Sequence, residues 1–540
     1  MNIIKLLNDN NILNAISEGL IYIDCPYRDQ ECAPKHLDMT FMINPDTSRG
    51  ECGECQITVG KEVWLEKLGI SDKEEVSEPR KKYSKGKRNN SEETSKQEPP
   101  PPAKRIIKID KPTREVSFDE WSSTIETNFH GLMFPAEVAA SVIVQILITE
   151  ITNPFALVLV DVPSSGKTIT LNFFDQIEGI TYSTDKFTPA SFVSNASNIK
   201  KEDLAGIDLL LRIRYKALLI RDLATIFSKS DDSLNESLGL LTRVLDGQGL
   251  STDSGTHGQR GYLGDYLFMM LAASTPIQPR VWKVMGNIGS RLFFLNMGTK
   301  EKSEDELAEQ IITRSTKDKE RVCREATKDL LHTLWSKNPD GVEWNRERDD
   351  HLYIKIIARC AKLLAKLRGV IYVQEKTSGS NEVSYKYHPP TIENPDRITQ
   401  LLYNLCRGHA VLCGRKQISP DDLRLAVELA IESAPTTRAK LFRALLLNNG
   451  LMRTHEVKAS LQCSTPTAHT EMETLKILHI ANVTAESDGF VGEPEKKLHL
   501  SKDFAWFLSE ECRAIRGLPT LPPTVSEDTT TEDTGADSLY

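Results

Sequence analysis

One short segment constrains this chain more than any other. An apolar run at residues 155–160 passes directly into Asp-Val-Pro-Ser-Ser-Gly-Lys-Thr at residues 161–168, and a helical pattern follows to about Gln176. A loop ending in Gly-Lys-Thr between a strand and a helix is typical of a phosphate-binding loop, because its backbone N–H groups and the helix start can surround phosphate oxygens. Asp161 replaces the first glycine of that pattern, whereas Gly166, Lys167 and Thr168 are present.

The loop predicts ATP and Mg²⁺ as ligands. Lys167 is expected to neutralise charge on the β- and γ-phosphates, and the Thr168 hydroxyl to hold Mg²⁺. The predicted cofactor-binding residues are Asp161, Val162, Pro163, Ser164, Ser165, Gly166, Lys167 and Thr168.

Further apolar runs predict the surrounding fold. They lie at residues 217–220 and 267–273 and alternate with helical patterns. Short uninterrupted apolar runs between helices are typical of a parallel sheet covered on both faces. The predicted fold class is therefore α/β, with the core at residues 106–300. Residues 301–435 have a mostly helical pattern with a β-like interruption near residues 370–387.

The second apolar run ends at Arg221 and Asp222, where a Walker B element carries one acid for Mg²⁺ and a second that polarises water. Counted strictly, Arg221 takes the first acidic place and Asp222 the second. With the frame moved by one residue, Asp222 becomes the metal-side acid and the second acid is absent. Either way one carboxylate remains, which bears on the rate of hydrolysis more than on nucleotide binding. An ordinary strand end is the simpler alternative.

Two later positions are candidates for catalysis. The third run ends in Ser274 and Thr275, and Thr275 could orient the attacking water. Arg291 follows in a Gly-Ser-Arg-Leu segment, and an arginine there could reach the γ-phosphate of a neighbouring subunit. Alone, the first could cap a strand and the second could lie on the surface.

In this order, the motifs resemble those of the AAA+ ATPases. The helical patterns at residues 395–405 and 418–431 are similar to the lid of the minichromosome-maintenance (MCM) helicases, and the resemblance extends over roughly residues 130–510. It places Arg397 at the sensor-2 position, so the predicted catalytic residues are Asp222, Thr275, Arg291 and Arg397. It implies an AAA+ core with a helical lid, DNA as partner and a homo-oligomeric ring.

A glycine-rich stretch at residues 247–261 lies where MCM-like ATPases carry a hairpin that contacts DNA. The resemblance makes His257, Gln259 and Arg260 candidate tip residues. A flexible surface loop is the alternative interpretation.

Four of the ten cysteines cluster near the N-terminus. Cys52 and Cys55 form a Cys-x-x-Cys pair, which can supply half of a tetrahedral Zn²⁺ site. The other half would come from Cys25 with Cys32 or His36; reduced structural cysteines are the alternative. The arrangement resembles the zinc ribbon of DnaG-type primases, in which a histidine stands where this chain has Arg28.

The remaining segments complete the predicted organisation. It comprises a zinc-ribbon module at residues 1–70, a charged and proline-rich linker at 71–105, the core at 106–300, the lid at 301–435, a winged helix at 436–512 and a disordered acidic tail at 513–540. In the winged helix, the third helix would present Thr467, His469, Thr470 and Lys476 to a major groove. Glu471 and Glu473 oppose phosphate binding there, so contact with a protein partner is the alternative.

Composition fits these assignments. The net charge of −9 argues against a wholly basic nucleic-acid coat. The best apolar run, residues 139–148, is shorter than the ~20 residues of a membrane span. The resemblance to MCM helicases and to the primase zinc ribbon implies a cytoplasmic ATPase that acts on DNA like a helicase, in DNA replication. The alternative is a nucleotide-dependent DNA-binding switch with slow hydrolysis.

Overall fold

The computed structural model describes most of residues 105–519 and short parts of the first 100 residues. The described residues are 14–17, 20–23, 41–43, 50–52, 58–59, 105–107, 109, 112, 114–185, 188–193, 204–254, 258–289, 291–298, 303–312, 315–378, 383–486 and 495–519. The chain divides into two compact units, Met1–Glu98 and Pro99–Tyr540.

The first unit contains a five-stranded antiparallel sheet in which each strand pairs with the next along the chain. Phe41 pairs with Ile23 on one side and with Cys52 on the other. Ile21, Ile23, Phe41 and Ile43 are buried. The strands are β1 Asn14–Ser17, β2 Leu20–Ile23, β3 Phe41–Ile43, β4 Gly50–Cys52 and β5 Thr58–Val59.

A five-stranded parallel sheet forms the centre of the second unit. The strands to the end of this core are β6 Ala156–Val160, β7 Thr181–Thr184, β8 Ala217–Ile220, β9 Gly249–Ser254, β10 Gly258–Leu263, β11 Met269–Ser274 and β12 Leu292–Asn296. The parallel sheet has the order β12-β6-β11-β8-β7, while β9 and β10 form a separate antiparallel hairpin. Every residue of β6, β8 and β11 is buried, as expected for strands covered on both faces. The α/β fold class is thus confirmed. The apolar run predicted at residues 267–273 corresponds to β11, which begins two residues later, at Met269.

Helices cover this sheet. They are α1 Phe118–Asn128, α2 Met133–Val144, α3 Lys167–Asn172, α4 Leu204–Ile207, α5 Leu209–Ile213, α6 Ala224–Phe227, α7 Asp231–Val244 and α8 Pro279–Ile288. The helix after the phosphate-binding-type loop is shorter than predicted, because residues 173–176 form turns. The α1 helix begins where the Ser117 side chain accepts a hydrogen bond from the Glu120 N–H.

The next segment is largely helical, as predicted, and its β-like interruption is a hairpin. The elements are α9 Glu304–Ile312, α10 Thr316–Lys337, α11 His351–Leu367, β13 Val373–Ser378, β14 Val383–Tyr387, α12 Asp396–Leu412 and α13 Pro420–Glu432.

The α12 helix packs closely on the core helix α2. A Cβ added at Gly408 would lie 2.2 Å from the Ser141 carbonyl oxygen, so only glycine fits there. Beside it, the buried His409 ring contacts Asp422 of α13 at 2.5 Å and Glu137 of α2 at 2.8 Å. Burial lowers the pKa of His409, but hydrogen bonds to these carboxylates and to Cys413 outweigh it and raise the pKa to about 11. The contacts of His409 therefore link α12 to α13 and to the core helix α2.

The C-terminal part contains three helices followed by two strands, as predicted. It also contains elements that the sequence did not indicate: a third strand, β15, before the second helix, and a helix, α17, at the end. The elements are α14 Thr436–Leu447, β15 Leu451–Arg453, α15 Thr454–Leu461, α16 Thr465–Ile477, β16 Ala481–Glu486, β17 Glu495–Leu500 and α17 Glu510–Ile515. The antiparallel sheet has the order β15-β17-β16.

Arg105, which the sequence analysis placed in the linker, is bound to the core. Its guanidinium donates hydrogen bonds of 2.5–3.2 Å to the carbonyl oxygens of residues 146, 148, 149 and 151. These carbonyls lie just beyond the end of α2. In the part of the chain that the structure describes, no helix has both the length and the apolar character needed to span a membrane.

Candidate nucleotide site

The predicted phosphate-binding loop lies between the central strand β6 and helix α3. Ser164 and Gly166 both have positive φ angles, 65° and 90°, which fold the loop sharply before the helix. A Cβ at Gly166 would also lie 3.0 Å from a methyl group of Leu132. The backbone conformation and this contact together favour glycine at position 166.

The Lys167 ammonium is held by the loop itself. It donates hydrogen bonds to the carbonyl oxygens of Asp161 at 2.7 Å and Val162 at 2.6 Å, and to the Ser165 hydroxyl at 3.0 Å. Burial lowers the pKa of Lys167, and the nearby carboxylates of Asp161 and Asp222 oppose that shift. Asp222, the one acidic residue of the predicted Walker B segment, therefore acts electrostatically on Lys167. Thr168, by contrast, is exposed.

Arg221 and Asp222 make different contacts after β8. Arg221 forms ion pairs with Asp175 at 2.8 Å and with Asp185 at 2.5 Å. Asp222 is exposed, and one of its carboxylate oxygens accepts a hydrogen bond of 2.8 Å from the Ala224 N–H at the start of α6. The arginine is therefore neutralised by carboxylates, while Asp222 acts electrostatically on Lys167.

Strand β11 lies between β6 and β8, beside the strand that carries the loop, as expected. The Asp161 N–H donates to the Ser274 carbonyl at 3.4 Å, and the Leu223 N–H donates to the Ala273 carbonyl at 2.8 Å. Ser274 is buried, whereas Thr275 is exposed at the carboxyl end of the strand. The ends of three neighbouring strands therefore gather the loop, Asp222 and Thr275 at one edge of the sheet.

Arg291 is not among the residues at that edge. It precedes β12, at the amino-terminal edge of the sheet, and is only 8% exposed. Its Nε donates to Asp246 at 2.8 Å and its Nη1 to the Gly289 carbonyl at 2.7 Å. Burial lowers the pKa of Arg291 and Asp246 opposes this, while Arg397 lowers it further. The positive charge of Arg397 therefore acts on Arg291.

The glycine-rich stretch forms the β9–β10 hairpin. Gly249 and Gly261 have positive φ angles, and a Cβ at either would approach a backbone oxygen across the hairpin to 2.2 Å or less. Of the three candidate tip residues, His257 lies outside the described residues, and only the backbone of Gln259 is described. Arg260 lies in β10, half-buried.

Most of the candidate zinc ligands also lie outside the described residues. These are Cys25, Cys32, His36 and Cys55, and only the backbone of Cys52 is described. Within the described parts of the chain, no group of three or more histidine, cysteine or acidic side chains could hold a metal ion. The Zn²⁺ site stays a prediction.

Asp175 and Asp185 are site residues that the sequence analysis missed. Asp175 is buried and also accepts a hydrogen bond of 2.5 Å from the Ser183 hydroxyl. The available signal was Arg221 itself, since an arginine at the end of a buried strand needs a nearby carboxylate.

The sequence matches no protein-family model and no curated protein. Among solved structures, the chain is similar to a full-length MCM homolog from Methanopyrus kandleri, with 10% identity, a TM-score of 0.34 and coverage of 58% of this chain. The match spans 59% of that homolog's length. The chain is also similar to the active helicase Cch of SCCmec type IV, with 12% identity and a TM-score of 0.29; the match covers 76% of this chain and 73% of that one. A third similar structure is the ORC1 protein of Aeropyrum pernix in complex with DNA, with 13% identity and a TM-score of 0.19; the match covers 71% of this chain and 94% of that one. Similarities this distant carry no functional argument, so any assignment of function depends on the geometry of the site.

Proposed function

We propose that this chain is an AAA+ P-loop ATPase that acts on DNA like a helicase, in DNA replication. One observation carries the proposal: the phosphate-binding-type loop with Lys167, the Asp222 carboxylate and Thr275 meet at the carboxyl edge of a parallel sheet. Lys167 would exchange its loop carbonyls for phosphate oxygens. Thr168 and Asp222 would hold Mg²⁺, which when bound offsets phosphate charge. Thr275 would orient the attacking water.

The contacts of Arg221 favour one of the two alignments of the Walker B segment. Because Arg221 pairs with Asp175 and Asp185, it is directed into a separate charge cluster. Asp222 then stands on the metal side. In this frame no second acid follows it, since the next residue is Leu223.

That missing acid supports the second candidate function, a nucleotide-dependent DNA-binding switch with slow hydrolysis. Phosphate release by the whole chain, measured with and without single-stranded and duplex DNA, tests both. A turnover stimulated by DNA, together with strand displacement, supports the motor. Tight ATP binding with little turnover and no strand displacement supports the switch, and a failure to bind ATP overturns both.

Arg291 and Arg397 would act together on the nucleotide of a neighbouring subunit in a homo-oligomeric ring. Arg291 lies just before β12, at the sheet edge opposite the loop of its own chain, and the charge of Arg397 acts on it, which supports action in trans. Arg291 would leave Asp246 to do so. Arg291→Ala should keep ATP affinity and lose turnover, and mixing it with Lys167→Ala protein should partly restore turnover.

The control is Asp246→Asn, which removes the ion pair and leaves the arginine. If Arg291 serves only that ion pair, both variants lose the same activity and mixing restores nothing. If Arg291 reaches a neighbour, Asp246→Asn retains turnover while Arg291→Ala does not.

The C-terminal three helices and sheet would form a winged helix. In its third helix, α16, Lys476 pairs with Glu473 at 2.9 Å, and the Glu471 carboxyl has a pKa raised by burial. These contacts reduce the net positive charge that α16 offers to DNA, so a protein partner is its second candidate ligand. The N-terminal cysteines would bind Zn²⁺. Strand β2 ends two residues before Cys25 and strand β4 ends at Cys52, and both strands end at the same edge of their sheet.

A further inference from the structure

A cluster of arginine and tyrosine side chains lies at the base of the β9–β10 hairpin. Tyr262 of β10 and Tyr266, just before β11, have ring centroids 5.8 Å apart. The Arg214 guanidinium lies 4.7 Å from the Tyr266 ring and 5.0 Å from the Tyr215 ring. Arg212 lies 5.3 Å from the Tyr182 ring at the start of β7. We call this set the arginine–tyrosine platform: Tyr182, Arg212, Arg214, Tyr215, Tyr262 and Tyr266.

Among the described residues, neither arginine of the platform forms an ion pair with an acidic side chain, in contrast to Arg221 and Arg291. Among the described residues, Arg212 donates hydrogen bonds only to the Tyr182 hydroxyl at 2.7 Å and the Ile207 carbonyl at 3.0 Å. Arg214 donates only a weak one, of 3.4 Å, to the Tyr215 hydroxyl. The Nε atoms of both are buried and have no hydrogen-bond partner in the described part of the chain.

Two carboxylates beside the platform each accept a hydrogen bond from a tyrosine hydroxyl, and the second oxygen of Asp265 has no hydrogen-bond partner among the described residues. Tyr215 donates to Asp265 at 2.8 Å, and Tyr262 donates to Asp208 at 2.6 Å. By contrast, Arg221 and Arg291 form ion pairs of 2.8 Å or less with aspartates. Among the described residues, neither half-buried guanidinium group donates a hydrogen bond to a carboxylate, so each can take an anionic acceptor from a ligand.

The backbone supports a functional origin for this arrangement. Tyr215 has a φ of 59°, in the left-handed region, which is unfavourable for a bulky residue. Its N–H is held by the Leu267 carbonyl at 2.6 Å. Strain of this kind concentrates at functional sites, and here it places the Tyr215 ring beside Arg214.

We propose that the arginine–tyrosine platform binds the phosphodiester backbone of single-stranded nucleic acid through Arg212 and Arg214. Combined arginine and aromatic side chains are the usual means by which proteins hold single strands without regard to sequence. The platform arginines lie before the amino end of β8 and Asp222 after its carboxyl end, so the strand, about 13 Å long, lies between them. The site is therefore distinct from the nucleotide site, although its biological use rests on the proposed action on DNA.

The test compares the full chain with two double variants in fluorescence-anisotropy titrations of a labelled single-stranded oligonucleotide over a range of salt concentrations. Arg212→Gln with Arg214→Gln removes both charges, and Arg212→Lys with Arg214→Lys retains them. A phosphate contact on a single strand contributes about 0.7 to the salt slope, so loss of two should lower the slope by about 1.4 and the affinity roughly 25-fold at 0.1 M salt. The lysine variant should keep the wild-type slope, which a purely structural role of the arginines would not predict.

Arg321→Gln with Arg324→Gln is the matched control, because it removes the same charge from α10, away from the platform. DNA-free ATP turnover should be unchanged in every variant. If the glutamine variant keeps the wild-type affinity and slope, or if only duplex DNA binding is lost, the platform is not a single-strand site. If the unaltered chain binds no nucleic acid at all, the proposed action on DNA fails instead. An RNA strand of the same sequence should show the same loss of slope, and a loss confined to DNA would overturn recognition through the shared backbone.

Discussion

Substituting Lys167 by alanine tests the candidate nucleotide site most directly. In the structure the ammonium makes three hydrogen bonds to neutral acceptors of its own loop, and binding a nucleotide would exchange them for charge-assisted bonds to phosphate oxygens. Two such bonds contribute about 3–6 kcal/mol, and the three bonds given up cost about 0.5–1.5 kcal/mol each. Taken limit by limit, about 3 less 1.5 and about 6 less 4.5 kcal/mol, the net loss in Lys167→Ala is about 1.5 kcal/mol, or a roughly tenfold weaker affinity for ATP.

Isothermal titration calorimetry with a slowly hydrolysed ATP analogue and Mg²⁺ measures this difference. The fold should tolerate the change, because the loop carbonyls freed by it lie near the surface and can bind water. Urea midpoints should therefore differ little from the wild type. Lys317→Ala, on the exposed side of α10, is the control and should bind as the wild type does. Wild-type affinity in Lys167→Ala would refute the assignment of the loop.

Three further expectations follow from other parts of the molecule. Asp222→Asn should retain nucleotide affinity without Mg²⁺ and lose Mg²⁺-dependent phosphate release, whereas full release would assign the metal-side acid to another residue. The purified chain should contain about one zinc by elemental analysis, because a tetrahedral site uses four ligands. Substituting Cys52 and Cys55 by serine should remove that zinc, and an unchanged zinc content would place the ligands elsewhere. Gly408→Ala should lower the free energy of unfolding by about 1–3 kcal/mol in urea titrations, since its Cβ would lie 2.2 Å from the Ser141 carbonyl oxygen. An unchanged midpoint there would show that α2 and α12 separate easily.

The parts of the candidate site whose position could be predicted are those encoded in contiguous residues. The loop could be predicted because strand, loop and helix follow one another within about 20 residues. The place of Thr275 beside it also followed, since buried strands with helices between them form parallel sheets. The partners of Arg221 could not be predicted, because Asp175 and Asp185 lie 46 and 36 residues away along the chain.

Predictions from local sequence patterns also failed for residues whose contacts lie far away along the chain. Arg105 has the sequence neighbours of a linker, yet it binds carbonyl groups more than 40 residues away. β15 is three residues long and is recognisable only through its pairing with β17. Arg291 was predicted from its spacing after the third strand, but its ion pair with Asp246 depends on how α7 packs against that edge of the sheet.

The positions of the two candidate sites limit how they can influence each other. Strand β8 carries Arg214 just before its amino end and Arg221 just after its carboxyl end, and register pairing with β7 and β11 holds it on both sides. A strand buried and paired in this way moves together with its neighbours. Nucleic acid bound at the platform can therefore change ATP turnover through β8 only by moving β7, β8 and β11 together. Arg221 is the group placed to transmit such a displacement, because its ion pairs join the end of β8 to Asp185 after β7 and to Asp175 after α3, the helix that contains Lys167. Coupling of binding free energies is reciprocal. A change at the platform that alters ATP affinity must therefore be matched by an equal effect of ATP on nucleic-acid affinity, and breaking the Arg221 ion pairs should remove both effects together.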